Sequence, residues 1–310
     1  MKKVVVTGPT GVIGTAVIEK LIAENCVVYA VIRKESKRIA NIPVHDNVHI
    51  VYCDIADLKS LKEKIGTECD IFYHFAWTGT DKPANRMNMY VQTDNIRYAL
   101  DAVEAAHDLH CSVFIGSGSQ AEYGNSGGLL TVDREAKPVS GYGMAKLCAG
   151  QMTRTMCQGY GIRHVWPRIV STYGVNDAKQ TLISTVINKL MNNERPSLTK
   201  CEQVWDYLYA GDAADALWAM AEKGRDGAVY VLGNARTITL KECVETIRRE
   251  LDSNIEIGYG DIPYYEDQVM YLQADVSKLT EDTGWKPVTD FNTGIRKVIS
   301  GMKNKKQAKR

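Results

Sequence analysis

The sequence has almost no excess of charge of either sign. Its 310 residues include 38 basic and 37 acidic side chains, a formal net charge of +1. This balance gives no electrostatic reason to expect binding to nucleic acid or to a membrane. No apolar run reaches the roughly 18 residues of a membrane span, and the first strand is expected to start at Lys3, which leaves no room for a signal peptide. We therefore expect a cytoplasmic protein that binds a small molecule.

Cysteine pairs with metal-ligand or redox spacing are also missing, as are internal repeats and low-complexity tracts. The eight cysteines form no CxxC pair and are scattered at Cys26, Cys53, Cys69, Cys111, Cys148, Cys157, Cys201 and Cys243. Such spacing matches neither a zinc site nor a thioredoxin-like motif. We expect reduced thiols, several of them buried, and no metal centre.

The N-terminal segment contains glycines at every third position. Three valines lead into Gly8, Gly11 and Gly14, and residues 12–21 then follow a helical apolar period. The pattern predicts a strand, a tight turn and a helix whose N-terminal N–H groups suit a pyrophosphate. The spacing GxxGxxG differs from the GxGxxG dinucleotide fingerprint, so an ordinary glycine-rich turn is the alternative.

Apolar strand-like runs alternate with helical segments in the first half of the chain. Strands are expected at 26–32, 48–53, 70–76, 111–115 and 163–170, with helices at 58–65, at 87–107 and around residue 142. This alternation predicts an α/β fold with a doubly wound, parallel, Rossmann-type sheet.

Past Gly174 the strands and helices no longer alternate regularly. Helices are expected at 182–191, 211–221 and 240–251, a strand at 204–209, and a solvated, frayed end from 302. We predict a dinucleotide-binding domain at 1–174 and a smaller substrate-binding region at 175–310, some segments of which return to the sheet.

Three side chains can perform acid–base chemistry on a carbonyl or an alcohol. Tyr142 and Lys146 are four residues apart and share one helix face, and Ser119 lies in the loop after the fifth strand, where ligands of such sheets bind. Lowering the pKa of a tyrosine from ~10 to ~7 needs about 4 kcal/mol of differential stabilisation. A cation ~4 Å away, at an effective dielectric of ~20, can supply an interaction of that size. Taken singly, Ser119 is interpreted as a hydroxyl that caps its loop, and Lys146 as part of a solvated helix face. Together they predict a catalytic group.

These motifs together resemble the extended short-chain dehydrogenase/reductase family, in its branch of nucleotide-sugar-modifying enzymes (NAD-dependent epimerases and dehydratases). The matching segments, in chain order, are TGxxGxxG at 7–14, Asp54 after the third strand, HFA at 74–76, the serine loop at 119–124, Tyr142 with Lys146, PRIVSTYG at 167–174, QVWDYLYAGDAADAL at 203–217 and GWKP at 284–287.

The resemblance implies catalytic residues Ser119, Tyr142 and Lys146. It implies substrate contacts at Trp77, Thr78, Ser119, Gln120, Ser171 and Trp205. The cofactor contacts that it implies are Gly8, Thr10, Gly11, Val12, Ile13, Gly14, Arg33, Lys34, Asp54, Ile55, Phe75, Ala76, Tyr142, Lys146, Pro167 and Ile169.

Departures from the family pattern narrow the range of reactions expected for this protein. The Asp-Glu pair that supplies acid and base in 4,6-dehydratases is replaced by Gln120 and Ala121. Because an amide and a methyl cannot transfer that proton, dehydration is disfavoured. Trp205 stands where many members have a diphosphate-binding arginine, Ser171 where many have an asparagine, and Gln92 where we place the family's helical asparagine.

The residues after the second strand bear on the cofactor. An acidic residue there binds the 2′-hydroxyl of NAD, whereas this chain has Ile32 followed by Arg33 and Lys34, with Lys37 and Arg38 nearby. A cationic cluster suits a 2′-phosphate, so NADP (NADPH) is favoured and NAD is possible. A solvated basic loop is the alternative interpretation.

Three functions remain open. The first is NADPH-dependent reduction of a 4-keto-6-deoxy nucleotide sugar, with Tyr142 as general acid. The second is a nucleotide-sugar 4-epimerase with retained NAD, and the third is a non-catalytic dinucleotide-binding sensor. The resemblance also implies a homodimer that pairs the helices at 87–107 and around residue 142.

Overall fold

A large parallel sheet forms the centre of the protein. The computed structural model describes residues 1–80, 82–125, 127–266 and 268–307. Its strands are β1 (Lys3–Thr7), β2 (Val27–Ile32), β3 (Val48–Tyr52), β4 (Ile71–His74), β5 (Val113–Ile115), β6 (Gly118–Ser119), β7 (Gly128–Leu130), β8 (Arg163–Ile169), β9 (Ser171–Tyr173), β10 (Ser197–Leu198), β11 (Val204–Tyr209), β12 (Ala228–Leu232), β13 (Thr237–Thr239), β14 (Gly258–Tyr259) and β15 (Leu272–Ala274).

Helices connect the strands. They are α1 (Val12–Ala23), α2 (Leu61–Ile65), α3 (Pro83–Met87), α4 (Met89–Asp108), α5 (Gly141–Tyr160), α6 (Leu182–Met191), α7 (Ala210–Lys223), α8 (Leu240–Glu250), α9 (Ser277–Thr283) and α10 (Phe291–Gln307), with short 3₁₀ helices at Ile39–Asn41, Ile55–Ser60 and Gln120–Tyr123.

The order of the central sheet is β3-β2-β1-β4-β5-β8-β12, and β6 also pairs with β8. Every pair is parallel. The chain crosses over between β3 and β4, which lie on opposite sides of β1, so the sheet is doubly wound as predicted. The crevice that such a reversal opens at the carboxyl ends of the strands is where ligands bind in this fold class.

The run of valines in β1 shows how the sheet is covered on both faces. Successive side chains of a strand point to opposite faces. Val4 and Val6 therefore pack in the cluster that holds α1 and α7, whereas Val5 packs in the cluster that holds α2, α4 and α5. All three side chains are fully buried, and each contributes about 1.5 to 3 kcal/mol of hydrophobic stabilisation.

The C-terminal region has an apolar cluster of its own. Helices α6, α8 and α10 pack around Tyr173, beside a small sheet of order β13-β11-β9. β12 lies in the central sheet, where Ala228 pairs with Val165. The division at residue 174 itself stays a prediction.

The long helix expected at roughly 87–107 is α4 (Met89–Asp108), which begins two residues later because Asn88 is extended (ψ 102°) and caps it by accepting from the Val91 N–H. Two other predicted segments differ from the observed ones. The helix expected at 58–65 is a 3₁₀ helix followed by the short α2. The frayed end expected from 302 was wrong as far as Gln307, since α10 continues there and Lys305 Nζ donates to Asn41 Oδ1 over 3.1 Å. Residues 308–310 of that tail lie outside the described residues.

All eight cysteines are free thiols, as predicted, and all but Cys148 are buried. None of the helices in the described part of the chain combines the length and the apolar character that crossing a membrane requires.

Candidate active site

The glycine turn after β1 has the close packing that its sequence predicts. Gly8 has a φ of +68°, and a Cβ on it would lie 2.8 Å from the Ala76 nitrogen. A Cβ on Gly14 would lie 2.2 Å from the Gly8 oxygen. A side chain at either position would push the turn away from β4 or from α1.

Gly11 of this turn instead borders open space. A Cβ there would meet only the Gly8 oxygen, at 3.8 Å. Gly11 is the N-cap of α1 and provides no side-chain cap, so the first N–H groups of the helix, at Val12 and Ile13, are left without one. Room above uncapped N–H groups is what a pyrophosphate at a helix N-terminus needs, so this turn fits a dinucleotide.

A buried pair of side chains joins the ends of β1 and β4. Thr7 Oγ1 lies 3.1 Å from His74 Nδ1 and accepts a hydrogen bond from the Ala76 N–H over 3.2 Å. Burial lowers the pKa of His74 to about 3, so its imidazole is neutral at physiological pH. The pair fixes the chain at Phe75 and Ala76, two of the predicted cofactor contacts, beside the glycine turn.

The predicted catalytic residues come together at the carboxyl edge of the sheet. Ser119 is the last residue of β6 and pairs with Ile169 of β8. Tyr142 lies in the first turn of α5. Burial raises the pKa of the Tyr142 phenol, while a hydrogen bond with the Ser119 side chain and the charge of Arg86 act in the opposite direction. The structure thus places the serine hydroxyl against the phenol and keeps the phenol protonated.

Lys146 lies one helical turn beyond Tyr142 and is 2% exposed. Its Nζ donates to the Ser117 carbonyl oxygen over 2.6 Å and to Ser117 Oγ over 3.0 Å. Burial lowers the pKa of the ammonium to about 7. Nζ is 5.7 Å from the centroid of the Tyr142 ring, whereas the Arg86 guanidinium is 4.4 Å from it. Arg86, which our sequence reasoning missed, therefore shares with Lys146 the positive charge beside the phenol.

The Ser119 loop is held by a buried carboxylate that sequence reasoning also missed. Glu122 is fully buried, and its Oε1 accepts from the Ser119 N–H over 2.9 Å and from Trp166 Nε1 over 3.1 Å. Its Oε2 accepts from Arg168 Nε over 2.7 Å. Because breaking a buried, hydrogen-bonded ion pair is costly, Glu122 and Arg168 fix the conformation from which Ser119 presents its hydroxyl.

The loop after β4 carries Trp77 and Thr78, two predicted substrate contacts. Trp77 Nε1 donates to Gln92 Oε1 over 2.9 Å. Asn95, one turn further along α4, accepts from the Thr78 N–H over 2.8 Å and donates to the Thr78 carbonyl over 2.9 Å. Both amides of α4 thus hold this loop, and only Gln92 was singled out from the sequence.

The predicted basic cluster divides into bound and exposed members. Arg38 donates to the carbonyls of Thr10 and Asn176, each over 2.9 Å, so it ties the glycine turn to the loop after β9. Arg33 and Lys34 are exposed after the end of β2. These two side chains remain available to a ligand at that edge of the sheet.

The other predicted contacts lie along the same edge. Asp54 caps the 3₁₀ helix that begins at Ile55 by accepting from the Ala56 N–H over 2.9 Å. Pro167 and Ile169 are buried in β8. Trp205 donates from Nε1 to Ser171 Oγ over 2.7 Å, which joins β11 to β9. Gln120 Oε1 is buried without a hydrogen-bond partner among the described residues, and Ala121 next to it has no acidic group.

A glycine turn, an open helix N-terminus and a Ser/Tyr/Lys group on a doubly wound sheet define a dinucleotide-dependent enzyme of the Rossmann class. The model of the NAD dependent epimerase/dehydratase family matches residues 4–233. The chain belongs to this family, and the resemblance found in its motifs is confirmed.

Relatives from at least three reaction types match the chain. A dTDP-glucose 4,6-dehydratase of Neisseria meningitidis serogroup B is 25% identical over 96% of this chain and 92% of its own length. A putative UDP-glucose 4-epimerase of Methanocaldococcus jannaschii is 29% identical over 97% of this chain and 98% of its own length. A dTDP-4-dehydro-6-deoxyglucose reductase of Escherichia coli is 26% identical over 62% of this chain and 61% of its own length.

Solved structures share the fold. A UDP-N-acetylglucosamine 4-epimerase from Methanobrevibacter ruminantium, in complex with UDP-N-acetylmuramic acid, superposes with a TM-score of 0.87 at 24% identity, covering 98% of this chain and 99% of the other. RMD from Pseudomonas aeruginosa, complexed with NADPH, has a TM-score of 0.82 at 17% identity, covering 98% and 100%. The family description names NAD, and RMD, which shares this fold, was solved with NADPH.

Proposed function

We propose that this protein is an NADPH-dependent reductase of a 4-keto-6-deoxy nucleotide sugar. The observation that carries the proposal is the convergence of Ser119, Tyr142 and Lys146 at the carboxyl edge of the sheet. Gln120 and Ala121, which follow Ser119, provide no acid–base pair for dehydration. The reductase among the relatives is a protein of this proposed type.

The protonation state of Tyr142 favours the direction of reduction. A general acid must hold its proton at the working pH, and burial raises the pKa of this phenol. Tyr142 then donates its proton to the sugar C4 oxygen as the carbonyl becomes an alcohol. Ser119 donates a hydrogen bond to the same oxygen and holds it in line, and the nearby charges of Lys146 and Arg86 stabilise the phenolate that results.

The bound nicotinamide cofactor supplies the hydride. In this proposal the turn at Gly8, Thr10, Gly11, Val12, Ile13 and Gly14 holds its pyrophosphate, and Arg33 and Lys34 bind a 2′-phosphate. The remaining cofactor contacts are Asp54, Ile55, Phe75, Ala76, Pro167 and Ile169. The exposed cations after β2, where an NAD-specific site has a carboxylate, support NADPH.

The sugar nucleotide is proposed to lie between the two regions of the chain. Trp77, Thr78, Ser119 and Gln120 border it from the central sheet, and Ser171 and Trp205 from the C-terminal region.

A cytoplasmic homodimer is part of the same proposal. The exposed Met144 and Met152 of α5 lie about two turns apart on one face of the helix and support pairing through α4 and α5, because exposed apolar side chains that share a face favour contact with a second copy.

A nucleotide-sugar 4-epimerase is the second candidate. The M. jannaschii relative, which covers nearly the whole chain, supports it. The same three residues would serve, but Tyr142 would act first as a base, and NAD would be retained through oxidation and re-reduction.

A panel assay tests the proposal. The purified protein is incubated with UDP-, dTDP-, CDP- and GDP-sugars and with their 4-keto-6-deoxy derivatives, while NADPH absorbance and product mass are followed. Stoichiometric NADPH consumption with a product two hydrogens heavier is expected for a keto-sugar. Interconversion of isomers without net redox, in protein that purifies with bound NAD, would favour the epimerase. No turnover with any member would contradict both.

A further inference from the structure

The indole of Trp77 covers the buried ammonium of Lys146. Nζ lies 3.6 Å from the ring centroid, well inside the ~6 Å within which a cation is attracted by an aromatic face. Its hydrogen-bond acceptors are the carbonyl and the hydroxyl of Ser117. Among the described residues Lys146 forms no salt bridge, and the nearby carboxylate of Glu122 is paired with Arg168.

The ring is held in this position from two sides. Its Nε1 donates to Gln92 Oε1 over 2.9 Å, and Gln92 is itself anchored because its Nε2 donates to the Asn85 carbonyl over 3.0 Å. The Trp77 ring also meets the Tyr142 ring edge-on, with centroids 6.1 Å apart and an interplanar angle of 84°. Trp77 therefore touches the cation with its face and borders the phenol.

We propose that Trp77 is a positioning residue whose aromatic face keeps the Lys146 ammonium charged inside the site and directs it toward the space beside Tyr142. The proposal deepens the function proposed above and rests on it. A carboxylate in the same place would also hold the proton on Lys146, but its negative charge would repel both the phenolate and the phosphates of a dinucleotide. An aromatic quadrupole stabilises the cation without adding a charge.

The other charged groups around Lys146 do not replace this role. Glu122, from the 3₁₀ helix at Gln120–Tyr123, raises the pKa of Lys146 from a distance, against the larger effect of burial. His74, from β4, is neutral because burial lowers its pKa to about 3. Arg86, from α3, faces the Tyr142 ring and adds positive charge. Besides this distant effect of Glu122, the groups that contact the ammonium directly are Ser117 and the face of Trp77.

The test is a direct titration of Lys146 by NMR. The full chain is labelled with lysine carrying ¹³C at Cε, and the Lys146 signal is identified by its loss in Lys146→Arg. In Trp77→Leu the pKa of Lys146 is expected to fall by about one unit, a tenfold loss of proton affinity, or about 1.4 kcal/mol. In Trp77→Phe, which keeps an aromatic face, less than half of that fall is expected.

A matched control comes from a second lysine–tryptophan pair. Lys2 Nζ lies 5.3 Å from the Trp218 ring centroid on another part of the molecule, and Trp218→Leu should leave the Lys146 titration unchanged. If Trp77→Leu does not fold, Trp77→Met removes the aromatic face and retains apolar bulk.

Two outcomes would overturn the proposal. One is a Lys146 pKa in the Leu or Met variant equal to that of the wild type. The other is an equal fall in Trp77→Phe, which would assign the effect to packing rather than to the aromatic face. Because the titration needs no substrate, it gives an answer even if the panel assay finds no turnover, and the two failures are distinguishable.

Discussion

Replacing Tyr142 with phenylalanine removes one oxygen and leaves the rest of the site in place. The edge-on contact with Trp77 and the approach of the Arg86 guanidinium to within 4.4 Å both involve the ring, not the hydroxyl. The variant is therefore expected to fold and to bind NADPH almost as the wild type does. Only the proton donor is lost.

The expected loss of rate follows from that change. General acid catalysis contributes about 10² to 10⁴-fold, which corresponds to about 2.7 to 5.4 kcal/mol of transition-state stabilisation. The loss should appear in kcat as well as in kcat/KM, because the proton moves only as the carbonyl is reduced. A loss of at least about 10²-fold is therefore expected.

The assay is a single-turnover measurement of NADPH oxidation with the keto-sugar that the panel identifies, beside a fluorescence titration of NADPH. Tyr160→Phe is the matched control, since Tyr160 ends the same helix and is 40% exposed. That variant should keep full activity. More than half of the wild-type rate in Tyr142→Phe would refute the assignment of the general acid.

Three further substitutions and one measurement of the oligomeric state test other parts of the proposal. Lys146→Ala should lower both kcat and NADPH affinity, because the ammonium is expected to contact the nicotinamide ribose as well as the phenol, and a change confined to sugar affinity would contradict this. Arg33→Asp should reverse a preference for NADPH worth roughly 1.5 to 3 kcal/mol, about tenfold to a hundredfold in affinity; tight binding of NAD that the substitution leaves unaltered would favour the epimerase. Glu122→Gln should lower the free energy of unfolding in urea by about 3 to 5 kcal/mol, because the Arg168 charge is then left buried without its partner, whereas Glu135→Gln in an exposed pair should cost far less, and equal losses would argue against a structural role for the buried pair. Sedimentation should find a dimer through α4 and α5 at micromolar concentration, and a monomer would rule that interface out.

Local features of the chain were predictable because they depend on near neighbours. A pattern of β-branched residues followed by glycines at every third position is sufficient for β1, the turn and α1, since each step involves backbone geometry within a few residues. Four residues of helix necessarily bring Tyr142 and Lys146 to one face. Alternating strands and helices leave few topologies other than a doubly wound sheet.

Element ends and breaks were harder to predict. The start of α4 is set by Asn88, whose side chain caps the helix, two residues after the start expected from the sequence. The basic segment after residue 302 has no apolar pattern, yet α10 extends through it. There Lys305 donates a hydrogen bond to Asn41, which is 264 residues earlier in the sequence. A contact between residues so distant in sequence leaves no local signal.

The sequence by itself therefore determined the fold class and the glycine turn, and it singled out Ser119, Tyr142 and Lys146 as the candidate catalytic group. Only the tertiary structure decided what surrounds that group: the buried pair of Glu122 and Arg168 behind Ser119, Arg86 beside the phenol, and Trp77 over the ammonium. The physical reason is that propensity and periodicity act over one or two turns of chain. The charge state of a buried lysine depends instead on burial and on partners that packing brings from other elements.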